Sequence, residues 1–151
     1  MASATSTEPE AAREIVSSRW LPFPRQQVFA AIADSASLAR WWGPAGFTNS
    51  FQQFEFRRGG EWKFVMHGPD GTDYPNHVVV EELQAPERIV LRHVPPHFTN
   101  TITWREEDGG TRIQFRMLFD DAGTRDALAP ICVPANEQNF DRLHAELSAR
   151  R

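Results

Sequence analysis

One cysteine, Cys132, stands in a chain of 151 residues. That excludes an intramolecular disulfide and a Cys-rich zinc site, and it fits a reducing compartment. No long apolar run is present, and Met1 is followed by Ala, Ser, Thr and Glu. The reading is therefore no membrane span, no secretory leader and a cytoplasmic location. Positive charge is short: 16 Lys and Arg stand against 20 Asp and Glu, for a formal net charge of −4. Bulk nucleic-acid binding is excluded on that ground. A Gly-rich phosphate loop, a nucleophile elbow and a zinc-ligand spacing are all missing. Nothing calls for a cofactor. Residues 1–12 are small and polar and read as a disordered tail. Residues 13–151 contain no linker, repeat or low-complexity stretch, and their length suits one domain with a core of its own.

What is present is punctuation and alternation. Residues 14–21 read as a strand ended by Pro22 and Pro24. Pro24 suits the opening of a helix, because the first turn leaves its missing N–H unneeded. Val28, Phe29, Ile32 and Ala33 give that helix an apolar stripe. Asp34 and Ser35 divide it from a second short helix over 36–42, stopped by Gly43-Pro44. Strand signals then run through 47–57, 61–67, 73–83, 88–94, 97–106 and 111–119. Turns fall at Gly59-Gly60, Asp70-Gly71, 85–87, Pro95-Pro96 and 108–110. At least one of Gly59 and Gly60 is expected at positive φ. Phe140, Leu143 and Leu147 share one face of a terminal helix. Pro130 and Pro134 speak against one unbroken helix from Asp121, and Pro134 is placed to start it.

Period-two alternation sorts the strands into faces. Trp62, Phe64 and Met66 share one face, as do Ile89, Leu91 and His93, Ile102 and Trp104, and Ile113, Phe115, Met117 and Phe119. A sheet this long curls, and the terminal helix is the available cover for its apolar side. The fold class is α+β. An antiparallel sheet of about six to seven strands curves around a long C-terminal helix, with two short helices after the first strand. Between sheet and helix we expect a cavity lined by Phe64, Met66, Val78, Val80, Leu91, Trp104, Phe115 and Met117, with Trp42, His93, Asn136 and Phe140 completing the ligand-binding set.

Five segments, in order, carry a resemblance. They are Pro24 with Val28-Phe29; Leu38-Ala39-Arg40-Trp41-Trp42-Gly43-Pro44; Arg57-Arg58-Gly59-Gly60; Gly68-Pro69-Asp70-Gly71; and Pro86-Glu87-Arg88. Together they resemble the activator-of-Hsp90-ATPase-homologue-1-like family, within the START-like, Bet v 1-like superfamily. The resemblance implies a helix-grip fold around a hydrophobic cavity, and a START-like ligand-binding domain over 13–151. It implies little about reaction, since the superfamily includes carriers, receptors and cyclases. One departure stands out. The family's terminal helix usually opens with Gly-Trp, and here Asn136 stands at the tryptophan's place. An amide there would add room and polarity to a pocket.

The chemical candidates each have a plainer reading. Trp41 and Trp42 either floor a ligand site or fill the core. His93 is a general base, a ligand's partner or a structural group. His67 and His77 lie on adjacent strands and could meet, but no Asp, Glu or Cys at ligand spacing completes a metal site. Glu81 and Glu82 point to opposite faces and cannot act on one bond; Glu82 alone is expected to face inward. Cys132 reads as a small buried hydrophobe. Three functions remain open: a binder of a small apolar or aromatic molecule, a cyclase or lyase acting on a similar molecule, and a chaperone-associated interaction module. A homodimer through an exposed edge strand is also open.

Overall fold

The computed structural model describes residues 8–150. A short helix α1 (Glu10–Arg13) leads into β1 (Glu14–Leu21), and helices α2 (Arg25–Ala33) and α3 (Ser35–Trp41) follow. Six more strands come next: β2 (Thr48–Phe54), β3 (Glu61–His67), β4 (Asp73–Gln84), β5 (Arg88–His93), β6 (Phe98–Glu107) and β7 (Gly110–Phe119). The chain closes with α4 (Ala122–Ala149). All seven strands form one antiparallel sheet in the order β1-β7-β6-β5-β4-β3-β2. Every strand pairs with its sequence neighbour except β1, which returns beside β7. The expected α+β helix-grip architecture is therefore present.

Local chemistry explains the boundaries. Pro24 is the N-cap of α2, and Asp34 ends α2 and caps α3 through its carboxylate, which accepts from the Ala36 amide at 3.2 Å. Gly43 lies at φ 94° just past α3, a left-handed stop that glycine adopts without penalty. In the Gly59-Gly60 turn, Gly59 takes φ 79°. Gly60 is needed for space instead, since a Cβ there would lie 2.4 Å from the Glu55 carbonyl oxygen.

Two readings need correction. The helix α4 is continuous through Pro130 and Pro134, and it starts at Ala122 with Asp121 as N-cap, its carboxylate accepting from the Thr124 amide at 2.7 Å. Both prolines are solvent-exposed. The backbone bonds they delete would have gone to Asp126 and Pro130, which are also exposed. Water can satisfy the freed carbonyls, while the opposite face packs on the sheet. Glu82 also does not face inward. A bulge between Val80 and Glu82 shifts the β4–β5 register, so each residue beyond it changes face. Glu82 is exposed and paired with Arg88, and Leu83 turns inward instead. Of the segment read as a tail, residues 1–7 lie outside the described residues; the Glu8 carboxylate accepts from the Ala122 amide at 3.1 Å, and α1 follows.

Candidate functional site

The inner face of the sheet is apolar at both ends and polar across its middle. The larger core cluster contains Trp62, Phe64, Val78, Val80, Leu91, Trp104, Phe115, Phe140 and their neighbours. A smaller one contains Ile15, Met117 and Phe119, with Phe98, Leu128 and Cys132 packed on it. Residues directly opposite on paired strands share a face, which traces the strip between them. Leu91 pairs with Asn100 and Asn100 with Met117. Val78 pairs with His93, and His93 with Phe98. Asn76, His93, Asn100 and Ser17 thus share one face, with Leu91 of the larger cluster and Met117 of the smaller one flanking Asn100.

Hydrogen bonds tie much of the strip together. Asn136 is buried, and its amide donates to Ser17 Oγ at 3.1 Å and approaches Met117 Sδ at 3.5 Å. It faces the sheet one turn before Phe140, as its spacing predicts. His93 Nε2 lies 2.7 Å from Asn76 Oδ1, and Nδ1 lies 3.0 Å from the Pro96 carbonyl oxygen. The His93 ring also stacks on Phe98, with centroids 4.7 Å apart. Asn100, which the sequence reading did not single out, is buried too. The signal was available: it continues the Ile102 and Trp104 alternation by one step.

The structure places the expected residues as follows. Phe64, Val78, Val80, Leu91, Trp104, Phe115, Met117, Asn136 and Phe140 are buried. Trp42, Met66 and His93 are half-buried. Trp42 packs on Phe115 with ring centroids 5.9 Å apart, and Phe115 on Phe140 at 4.7 Å. Trp41 is pure core, its indole donating to the Ala31 carbonyl at 2.9 Å. The indole N–H groups of Trp62 and Trp104 are buried without partners among the described residues. Both sit among aromatic rings: Phe54 stacks on Trp62, and Phe29 meets Trp104 edge-on. Two surface clefts, of about 250 Å³ and 310 Å³, lie elsewhere, lined by Arg40, Arg142 and Glu146 and by Gln26, Gln27 and Arg150 among others.

The loop that carries Trp42 is fastened to α4. The Arg142 guanidinium donates to the carbonyls of Arg40, Trp42, Gly43, Pro44 and Phe47, at 2.8–3.0 Å. Asn139 adds two bonds, accepting from the Gly43 amide at 3.3 Å and donating to the Trp41 carbonyl at 2.7 Å. Nothing in the local sequence marks Arg142, because its partners lie about 100 residues away in the turn after α3.

The other candidates separate. His67 pairs with Asp73 and also contacts Ser50, while His77 contacts Glu61, so the two histidines do not meet. Among the described residues no group of three His, Cys, Asp or Glu could hold a metal ion. Burial pushes the Cys132 thiol up, away from the reactive thiolate.

Burial also lowers the His93 pKa, outweighing the opposing hydrogen bond to Pro96; His97, Arg92 and His77 lower it further. The folded state therefore binds this proton less well than the unfolded chain, whose value is near 6.5. Stability is fully present above that value and falls as pH drops below it toward the depressed folded value. Chemical denaturation across this range is expected to show that slope, and His93→Gln to flatten it. A slope unchanged in the variant would assign the effect to another group.

Known proteins share this fold. The sequence pattern of the activator of Hsp90 ATPase homolog 1-like protein family matches residues 22–148. The chain belongs to that family. Solved structures of the same fold include a Nitrosomonas europaea protein, at 21% identity, covering 96% of this chain and 100% of that one, with a TM-score of 0.86. A Mycobacterium smegmatis protein matches at 20% identity over 96% of this chain and 97% of that one, with a TM-score of 0.86. The AHSA1 protein of Silicibacter pomeroyi matches at 19% identity over 91% and 99%, with a TM-score of 0.74. At these identities the likeness shows the fold. No curated protein matches the chain. The START-like fold of this family is compatible with ligand binding. No helix among the described residues is long and apolar enough to cross a membrane.

Proposed function

We propose that the protein binds a small apolar or aromatic molecule between the inner face of the sheet and α4. The observation that carries the reading is the break between the two core clusters. A sheet and helix built only for stability would join them with apolar side chains. Here Ser17, Asn100 and Asn136 are buried in the gap instead. Buried amides cost stability unless satisfied, and they orient ligands when they line a site. Met66 and Met117 border the same region, and their unbranched side chains re-pack readily around a guest. Trp42, Met66 and His93 are half-buried, which makes this edge the natural entry. The expected twelve-residue lining is retained in this proposal, with Ser17 and Asn100 added.

Native mass spectrometry of freshly purified protein is expected to show a non-covalent adduct of small-molecule mass. In Asn136→Trp the indole would take the amide's place between the two clusters and crowd the proposed site, so occupancy should drop severalfold in a folded variant. Adduct-free protein that also fails to take up an apolar probe would overturn the reading.

A further inference from the structure

Asn100 is 7% exposed, and its Oδ1 is fully buried and accepts no hydrogen bond among the described residues. Native folds rarely leave such an acceptor unpaired unless something else supplies the donor. Its flanking neighbours, Leu91 and Met117, are apolar and directly opposite on β5 and β7. Neither can donate. Across the strip, the Asn136 amide is committed to Ser17, and the Asn76 amide donates to the Tyr74 carbonyl at 2.9 Å. The inner face thus presents an unpaired acceptor flanked by two apolar side chains.

The same face is poor in available positive charge. Arg19, the charged residue next along β1 after Ser17, is held by Glu137 and Asp141 at 2.9 Å each. Arg142 is spent on backbone carbonyls. Both nitrogens of His93 face oxygens of the protein. An anionic ligand would find neither guanidinium free to pair with it. A bare hydrocarbon would leave Oδ1 unpaired. We infer that Asn100 Oδ1 accepts the hydroxyl hydrogen of an uncharged ligand with an apolar body, so that the ligand class is a neutral apolar or aromatic alcohol. This rests on the apolar-ligand reading above and narrows it.

Three probes of one size separate the cases: 2-naphthol, 2-methylnaphthalene and 2-naphthoate, titrated calorimetrically near neutral pH into the full chain. In the wild type, 2-naphthol is expected to bind about tenfold more tightly than 2-methylnaphthalene, the gain from pairing a buried polar group. The carboxylate should bind most weakly. In Asn100→Leu the alcohol's advantage should vanish, while 2-methylnaphthalene binds as well as before or better. A second readout needs no variant: 2-naphthol, unlike 2-methylnaphthalene, should shift the Asn100 side-chain amide resonances. If the alcohol and the hydrocarbon bind alike, or naphthol leaves those resonances in place, the hydroxyl assignment fails alone. If 2-methylnaphthalene does not bind at all, the apolar-ligand reading fails and takes this inference with it.

Discussion

Replacing Arg142 with alanine is expected to lower the unfolding free energy by about 3 kcal/mol. The five carbonyls it serves belong to the end of α3 and the turn after it. The last carbonyls of a helix have no partner within the helix and carry the negative end of its dipole, so a guanidinium there gains on both counts. Each charge-assisted bond is worth about 1.5–3 kcal/mol in isolation, but five bonds from one group do not add. Alanine would leave several part-buried acceptors to find water. For a chain of this size the loss corresponds to a fall in Tm of about 10 °C. Lysine keeps the charge but not the planar fork of donors, and should restore less than half. Thermal and urea unfolding followed by circular dichroism would measure both. A change below about 0.5 kcal/mol in the alanine variant would mean that the turn holds itself.

Phe140→Ala is the second large expected effect, at about 4 kcal/mol. Phe140 is fully buried, its ring is 4.7 Å from that of Phe115, and the Arg19 guanidinium carbon lies 5.7 Å from its centroid. Truncation removes the transfer free energy of the ring and leaves a void that helix and sheet only partly close. A domain with about 5–15 kcal/mol of stability survives this. The variant has a functional readout as well. An apolar void of benzene size binds benzene, so benzene should raise the variant's Tm by more than it raises the wild type's. Benzene without effect on the variant would show that α4 collapses onto the sheet.

Much of the fold was legible, and the parts that were not have physical causes. Residues 14–21 were read as a strand with the boundaries the structure shows, because Pro22 and Pro24 end it without ambiguity. The inward face of β7 followed from strict alternation of Ile113, Phe115, Met117 and Phe119, all of them buried. Alternation failed at Glu82 because one extra residue in a strand inverts every face beyond it, and the run of valines before it hides the insertion. The prolines of α4 misled for another reason. A proline rule is local, whereas the helix is held by Asn136, Phe140, Leu143 and Leu147 on its far side.

The candidate site divides the same way. Its apolar lining could be read from period two, and Asn136 from its place one turn before Phe140. Asn100 lay on a face already identified, but a polar residue in a strand carries no sign of its burial. Arg142 could not be found at all, since a clamp on backbone carbonyls requires no particular side chain in the turn it holds.

The central claim is that a small apolar molecule is held between the sheet and α4. Intermolecular nuclear Overhauser effects between 2-naphthol and the uniformly labelled protein test it most directly. The account predicts cross-peaks to the side chains of Phe115, Met117, Asn136 and Phe140, saturating with the ligand. Saturable binding with cross-peaks confined to exposed side chains such as Val16, Trp20 or Ile131 would contradict it.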